Sequence, residues 1–534
     1  MIKLTIDHIA IEAQEGTTIM EAAASAGIVI PSMCFRPGYA NHPSCMVCLV
    51  KDTGNNHLVP SCAMPVSEGM NIRTNTEDVL EARKEAIELL LSDHVGDCEA
   101  PCRVSCPAFM DIPLMNRLIA AGDFDQAARV VREEIALPLV LGHICPAPCE
   151  KACKRKPMDA AVSVCLLKRA AAQHERREQL GFSGVAGSDG KKVAIIGTGP
   201  AGLAAAFYLQ RSGHQCVLFD RNEQAGGAMR YSIPDERLPK KILDTEIETI
   251  GEMGARYRMN TTITREFFQN EILPGFDAVI LATGHSESGL DGLFGIQPDK
   301  DGAYIHKKDL ATSLPGVYAC GNIIREQKMA VHSVAQGKMA AMQVKAFLGK
   351  HTGKEPLPAS RIPARSSVSI TGHLFEPEWP EYMQESNPDQ RIEPGSGHLA
   401  GYTREEAIGE AKRCLRCDCR KPVSCKLRQY AEEYGANRKR FAGPDRKQIT
   451  RSMQHEEVVY ETEKCIRCGL CVEITGKYNE TTGLTFAGRG FDVSISVPFS
   501  ETIREALTTA ASECVEACPS GALAFKNKEE RNNE

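Results

Sequence analysis

The sequence predicts a multidomain α/β chain with several separate cores. Three observations lead there: the chain is 534 residues long, nearly all of its 22 cysteines fall into tight groups set far apart, and one glycine-rich stretch follows a short apolar run. A chain of this length ordinarily divides into units that each bury their own core. Its 63 basic and 69 acidic residues leave a formal charge of -6, and no block of like charge offers a surface to nucleic acid or to anionic lipid. No uninterrupted apolar stretch is long enough to span a bilayer, and the opening MIKLTIDHIA alternates apolar and polar residues where a leader would be basic, then apolar. The expectation is a cytoplasmic chain with no direct membrane insertion and no nucleic-acid partner.

All the cysteines except Cys216 and Cys320 are grouped. Disulfide frameworks belong to short secreted chains, so metal ligation is the better reading. Thiolates two or three residues apart can be turned inward by one loop around a small iron-sulfur core, with zinc as the competitor. Cys216 and Cys320 lie in apolar runs and read as small buried hydrophobes.

In the first eighty residues, Ile2, Leu4, Ile6, Ile9 and Ile11 keep a period of two and predict a hairpin. Thr18 and Glu21 form a capping-box pattern before a helix that Gly27 can end. Cys34, Cys45, Cys48 and Cys62 follow in Pro- and Gly-punctuated loops, a set that suits one 2Fe-2S cluster. This spacing, with the hairpin and helix before it, resembles the N-terminal 2Fe-2S domain of the iron-sulfur-rich peripheral subunit of respiratory complex I, the NADH dehydrogenase, and of iron-only hydrogenases. The resemblance continues through Ala86–His94 to Cys98, where those families place a cluster held by one His and three Cys.

From Cys98 the text changes to CEAPCRVSCPAF, GHICPAPCEKACKRKP and AVSVCLLKRAAA. It resembles the cluster domain of the glutamate synthase small subunit, shared with dihydropyrimidine dehydrogenase, which holds two 4Fe-4S clusters. Two clusters require eight ligands, and Cys98, Cys102, Cys106, Cys145, Cys149, Cys153 and Cys165 make seven, with His94 the natural eighth. That family often takes one ligand as Gln or Glu at the position of Lys168. A protonated lysine cannot ligate iron, and Cys165, one helical turn earlier on the same face, can compensate. The expected partition is His94, Cys98, Cys102 and Cys153 around one cluster and Cys106, Cys145, Cys149 and Cys165 around the other.

Val193–Ile196 reads as a strand feeding Gly197-Thr198-Gly199-Pro200-Ala201-Gly202 and an alanine-rich helix. This arrangement aims backbone N–H groups and the helix dipole at a pyrophosphate. Asp220, ending a second strand, is placed to accept from a ribose hydroxyl. Gly226-Gly227, the Ala282-Thr283-Gly284 segment and Gly316–Asn322, which includes Gly321, are characteristic of two-dinucleotide flavoproteins and imply FAD. Asn322 stands where an Asp is usual. Met229–Glu248, with Arg230, resembles the same glutamate synthase family, whose likeness runs from Cys98 to Leu348. That family inserts an NADPH-binding Rossmann unit after the ATG segment, yet only about thirty residues separate Gly284 from Gly316 here, too few for a second dinucleotide domain.

Leu357 to about Tyr402 is rich in Pro, Gly, Ser and charges and reads as a linker or wrapping arm. Cys414, Cys417, Cys419 and Cys425 are expected to hold either a 4Fe-4S cluster or a structural zinc. Cys465, Cys468 and Cys471 form a tight loop, and the complex I resemblance closes it with Cys518, leaving Cys514 spare.

The predicted order is a ferredoxin-like 2Fe-2S domain (1–80), a helical domain with two 4Fe-4S clusters (81–180), a Rossmann-type FAD domain lacking the NADPH insertion (190–350), a linker or arm (351–405), a cysteine-rich cluster segment (406–445) and a 4Fe-4S ferredoxin-like domain (446–534). Three to four 4Fe-4S clusters are expected in all. The ends resemble the complex I subunit, and the middle resembles the glutamate synthase module. No Ser-His-Asp set, P-loop or HExxH is present, so no catalytic side chain is assigned. The expected function is electron transfer within a multi-subunit oxidoreductase. By resemblance, its companions are a complex I type NADH-binding flavoprotein subunit and a formate dehydrogenase or hydrogenase type subunit, with ferredoxin a further candidate. The alternatives are a self-sufficient NAD(P)H:acceptor oxidoreductase and an electron-conducting scaffold whose FAD is structural or absent.

Overall fold

The computed structural model describes residues 1–94, 98–176, 191–285, 289–298, 304–305, 309–326, 328–351, 389–441, 451–452 and 454–526. The chain forms two compact units. The first takes Met1–Ala100, Pro363–Glu385 and Cys417–Glu534; the second takes Pro101–Ile362 and Ser386–Arg416.

In the first unit the strands Ile2–Ile6 and Ile9–Ala13 make the expected hairpin, joined by Asp7 and His8, both at positive φ. The five-stranded sheet runs in the order Ile9–Ala13, Ile2–Ile6, Asn71–Arg73, Leu49–Asp52, His57–Pro60. The alternation of Leu4, Ile6, Ile11 and Ala13 buries one face against the helix Ile19–Ser25, which opens with the Thr18/Glu21 capping box. The helix Glu77–Asp93 ends at His94, whose backbone is extended, so the imidazole projects from a helix terminus.

In the C-terminal part of this unit, Val458–Glu461 pairs antiparallel with Leu523–Phe525. The helices Leu470–Lys477 and Ala511–Ala517 pack together beside that pair. Tyr460, Ile474, Leu507 and Val515 fill their core. A separate apolar group joins Ile87 and Leu91 to Leu427, Ala431 and Leu470.

The second unit begins with a helical layer: Ile112–Ala120, Phe124–Glu134, Pro138–Ile144 and Val164–Gln173. Asp111 and Asp123 cap the first two through backbone N–H groups of Leu114 and Gln126. A parallel sheet follows in the order Val317–Ala319, Ala278–Leu281, Lys192–Ile196, Gln215–Phe219, Arg256–Arg258. Its central strands are apolar on both faces, as parallel strands covered on both sides must be. The helix Ala330–His351 lies along Pro200–Arg211. Gly337 permits this approach, since a Cβ there would stand 2.2 Å from the Ala201 carbonyl oxygen.

The C-terminal end of the expected linker or arm is among the described residues. Residues 352–388 lie outside the described residues, but 389–402 pack on the second unit: Tyr402 is buried, and its hydroxyl donates to the Ile392 carbonyl at 2.5 Å. The expected segment 406–445 is likewise divided. The helix Arg404–Ala411 and Cys414 belong to the second unit, while Cys417 onward belongs to the first.

Glu246 ties the helical layer to the parallel sheet. Its buried carboxylate accepts from the N–H groups of Leu139 (2.9 Å) and Val140 (3.0 Å) at the start of Pro138–Ile144. Burial pushes this carboxyl up from 4.5 to about 7, with Arg132 and the two N–H groups pulling the other way. A raised carboxyl keeps its proton longer in the folded chain, so its contribution to stability falls as pH rises from about 4.5 through about 7. Glu246→Gln is expected to flatten the pH dependence of the melting temperature in that window. An unaltered slope would show that Glu246 is not its source.

Candidate metal centres and nucleotide site

Cys34, Cys45, Cys48 and Cys62 are all buried on loops around the N-terminal sheet. Their sulfurs form two close pairs, Cys34–Cys45 and Cys48–Cys62, each with Sγ atoms 3.4 Å apart. The Cys34 thiol is also hydrogen-bonded to Cys62, which links the two pairs and, with Cys45, holds Cys34 far below its ordinary value. Two linked pairs match what two irons with two thiolates each require.

Cys465, Cys468, Cys471 and Cys518 line one cavity with Tyr460, Ile495 and Leu523. Arg467 and Gly469 adopt positive φ within the CxxCxxC loop, which is how so short a segment turns three side chains to one side. Cys514 instead points its Sγ toward the Cys471 carbonyl, 3.8 Å away, and is buried in the surrounding core. Lys421 donates to the carbonyl oxygens of Val515 and Cys518, both at 2.9 Å, and so holds the segment that carries the last thiol.

The expected partition of the middle cysteines does not survive. Cys98 lies in the first unit with Cys419 and Cys425, and its carbonyl accepts from the Cys419 N–H at 3.3 Å. Burial, then the facing Cys419 side chain, push the Cys98 thiol up to about 12. Burial and the charges of Cys419 and Cys98 raise Cys425 in the same way. His94 is buried in the same unit, facing Lys464. Burial holds its pKa at about 4, which makes it the neutral imidazole that ligates metals, and its Nδ1 is buried with no hydrogen-bond partner. Lys464, itself buried, pairs with Glu461 at 2.6 Å, and Arg428 pairs with Glu99 at 2.6 Å beside Cys98. The orphaned nitrogen and three converging thiols fit a cluster held by one His and three Cys.

Cys102 and Cys153, expected beside His94 and Cys98, belong to the second unit. Burial raises the Cys153 thiol, the N–H groups of Val162 and Arg155 oppose this, and the neighbouring Cys414 side chain adds to the rise, so Cys153 and Cys414 face one another. Cys102 sits on the helix Pro101–Ser105, which packs against Pro148–Lys151 carrying Cys149. The reason for the mismatch is topological: Ala100 and Pro101 fall in different units, as do Arg416 and Cys417, so cysteines close in sequence face different sulfurs. The four cysteines expected to hold a 4Fe-4S cluster or a zinc are divided in the same way, with Cys414 in the second unit and Cys417, Cys419 and Cys425 in the first. Among the described residues no three His, Cys, Asp or Glu side chains close in far enough to hold a single ion.

Cys106, Cys145, Cys149 and Cys165 surround one point in the second unit. Cys165 is hydrogen-bonded to both Cys145 and Cys149, and Cys106 faces Cys145. Beside them lies Lys168, which is 3% exposed, with Nζ 4.0 Å from the Cys165 Sγ. Burial disfavours its charged form, but the charge interactions with the four cysteine side chains, Cys165 first, outweigh that and raise its pKa.

The glycine-rich turn is shaped for close backbone approach. Gly197 has φ +108°, and a Cβ there would lie 2.3 Å from the Ala282 carbonyl oxygen. A Cβ on Gly202 would lie 1.9 Å from the Gly197 oxygen, and one on Gly227 would lie 2.8 Å from the Gly199 Cα. No side chain caps the helix Pro200–Arg211, whose N-terminus therefore presents free N–H groups through Ala201 and Gly202, Pro200 having none to offer. Asp220 accepts from the Thr198 N–H (2.8 Å) and hydroxyl (2.7 Å) with one oxygen and from Asn222 with the other. It braces the turn, a contact additional to the ribose contact expected of it. Arg230 beside Gly226 is committed to the Ala225 carbonyl and to Asp244. The Thr283 Oγ1 next to Gly284 is buried without a partner, and Gly321, at φ +79° beside Asn322, donates to Gln336 at 2.8 Å. Glycines that leave no room for a Cβ, together with this orphaned hydroxyl, fit a dinucleotide. Among the described residues, the stretch between Gly284 and Gly316 holds the short helix Gly289–Phe294 and isolated bridges, with no second parallel sheet.

The cations that flank these centres were not legible as such in the sequence. Only the i, i+3 spacing of Glu461 and Lys464 hinted at one of them.

Fold and sites together define a multi-cluster iron-sulfur protein with a Rossmann-like nucleotide-binding domain, and in the described residues no helix is long and apolar enough to cross a membrane. Residues 1–77 match the family model of the 2Fe-2S iron-sulfur cluster binding domain, 74–180 that of dihydropyrimidine dehydrogenase domain II, 4Fe-4S cluster, and 195–254 that of the NAD(P)-binding Rossmann-like domain. The chain is 37% identical over 199 residues to the NADPH-Fe(3+) oxidoreductase subunit beta of Geobacter sulfurreducens, covering 37% of this chain and 30% of that protein. It is 35% identical over 218 residues to the NADP(+)-dependent formate dehydrogenase subunit beta of Moorella thermoacetica, covering 37% and 31%. To the glutamate synthase [NADPH] small chain of Escherichia coli it is 33% identical over 234 residues, covering 42% and 48%. The chain thus spans from under a third to about half the length of these relatives, all of them oxidoreductases or their subunits.

Proposed function

We propose that this chain is an iron-sulfur flavoprotein electron-transfer subunit of a multi-subunit oxidoreductase. The observation that carries this reading is the packing of Cys34, Cys45, Cys425 and Cys468 into one buried apolar group, which puts three candidate centres of the first unit side by side. Bound there, the clusters would each carry one electron, and FAD in the second unit would convert between two-electron and one-electron carriers.

Cys34, Cys45, Cys48 and Cys62 would hold the 2Fe-2S cluster. His94, Cys98, Cys419 and Cys425 would hold one 4Fe-4S cluster, Cys465, Cys468, Cys471 and Cys518 a second, and Cys106, Cys145, Cys149 and Cys165 a third. Cys102, Cys153 and Cys414 would supply ligands to a fourth. Gly197, Gly199, Pro200, Ala201 and Gly202 would cradle the FAD pyrophosphate, and Asp220 would accept from its ribose. Gly226, Gly227, Thr283, Gly284, Gly321 and Asn322 would line the rest of the cofactor, with Arg230 held beside it. The nucleotide turn and the Cys106 and Cys149 thiols share one core, which supports a short route between them.

The two subunits beta among the relatives support a place in a larger complex. A nicotinamide-oxidising subunit would feed it, and a formate dehydrogenase or hydrogenase type enzyme would sit at the other end, in a cytoplasmic assembly. The lack of a second parallel sheet among the described residues supports a flavin fed by partners. The NAD(P)-binding family model at 195–254 favours a second reading, in which the cradle takes the nicotinamide nucleotide itself.

Anaerobic titration of the purified chain with NADH, NADPH and then dithionite, after flavin and iron are quantified, separates these. Bound flavin bleached by dithionite and by neither nucleotide is the expected result. Bleaching by a nucleotide alone would overturn it in favour of a self-sufficient reductase, and a chain that binds nucleotide but no flavin would favour the second reading.

A further inference from the structure

We propose that Lys168 acts as a fixed internal countercharge that raises the reduction potential of the cluster held by Cys106, Cys145, Cys149 and Cys165 above that of an otherwise equal site, a role that rests on that ligand assignment. Lys168 projects from the helix Val164–Gln173 one turn beyond Cys165, so the thiol and the ammonium leave the same helix face. Its long stem is buried, and its ammonium donates to the Cys165 sulfur at 4.0 Å.

A buried ammonium is costly unless charge of the opposite sign compensates it. The other buried cations near candidate centres have other partners: Lys464 pairs with Glu461, Arg428 with Glu99, and Lys421 donates to two carbonyl oxygens. Among the described residues Lys168 has no ion pair with a carboxylate. Glu150, the acid that feels its charge, accepts from the Cys165 N–H at 2.9 Å and pairs with Arg391 at 3.8 Å. The charge of Lys168 is therefore directed at the four sulfurs.

Each thiolate set of this kind carries net negative charge when loaded, and one-electron reduction adds one more. A cation fixed within a few ångströms in a low-dielectric surround favours the more negative state, and N–H···S donation acts in the same direction. The cage also shares its core with the nucleotide turn, and Arg237, at the start of the Rossmann-side helices, donates to the Ile144 carbonyl just before Cys145 at 3.3 Å. A raised potential there would make this centre the preferred resting place for an electron leaving the second unit's cofactor.

The test is an anaerobic redox titration of the iron-loaded full chain, with dithionite as reductant and mediator dyes, read by EPR for each cluster. Lys168→Met and Lys168→Gln, both neutral, are expected to shift one 4Fe-4S signal at least tenfold toward the oxidised form at fixed potential, about 59 mV for a one-electron couple, and leave the others in place. Lys168→Arg, which keeps the charge, is expected to restore most of the shift. Unmoved potentials in a neutral variant that retains the cluster would overturn the proposal. Loss of the cluster from both neutral variants but not from Lys168→Arg would support the countercharge, and loss from all three would overturn it in favour of a packing role. Failure of the underlying assignment looks different: Cys165→Ser would then leave iron content and every EPR signal as in the parent chain.

Discussion

Cys98→Ser and Cys425→Ser are each expected to remove the same 4Fe-4S cluster, about four irons per chain, and the double variant is expected to lose no more than either single. The two thiols stand at opposite ends of the chain segment that forms the second unit, yet both face Cys419 in the first. Cys102→Ser, only four positions from Cys98, is expected to remove a different cluster, so that Cys98→Ser with Cys102→Ser loses about twice the iron of either alone. Iron analysis with EPR of the remaining signals reads this directly. If Cys98 and Cys102 prove to share one cluster while Cys425 belongs to another, the division of ligands between the two units is wrong. His94→Ala belongs to the same test: its signal should change in step with Cys98→Ser and with no other variant.

The second large effect falls on the ion network that closes the Cys153–Cys414 site. Arg413 is fully buried and donates to Glu410 (2.8 Å), to Asp159 (2.9 Å) and to the carbonyl oxygens of Asp389 and Ala160 (both 2.9 Å). Glu410 is equally buried and also accepts from the N–H groups of Ser163 and Ile392. Arg413→Met strands that carboxylate, and stranding one member of a buried pair typically costs about 3–5 kcal/mol. Removing both charges at once, with Arg413→Met and Glu410→Gln, should cost less than Arg413→Met alone. Because Arg155 donates to the Arg413 carbonyl at 2.7 Å and both residues lie within two positions of a candidate ligand, the single variant should also lose one cluster signal. Denaturant unfolding and EPR on the same preparation test both parts. A cost below about 1 kcal/mol, with all signals intact, would show that the network is dispensable.

Which residues are candidates for the chemistry was legible from spacing. A CxxCxxC loop or a GxGxxG turn is a local device, since a few backbone angles decide where its side chains and N–H groups point. The hairpin, the Thr18/Glu21 cap and the apolar parallel strands are equally local, each following from a period of two, a capping pair or a run of buried aliphatics. The absence of room for a second nucleotide domain was likewise a matter of chain length alone.

Which residues act together was not legible, because that depends on where the chain leaves one unit and returns to it. Between Ala100 and Pro101, and again between Arg416 and Cys417, no change of composition marks the crossing. Only tertiary packing brings Cys419 to Cys98, sets Cys414 against Cys153, and leaves the His94 Nδ1 buried without a partner. The burial of Lys168 among four sulfurs is of the same kind: the sequence shows a lysine one turn after a cysteine, and the fold decides that water cannot reach it. The sequence by itself therefore determined the kinds of centre this protein carries. The tertiary structure decided their membership and their electrostatic surroundings, because charge and ligation act through distance in space and not along the chain.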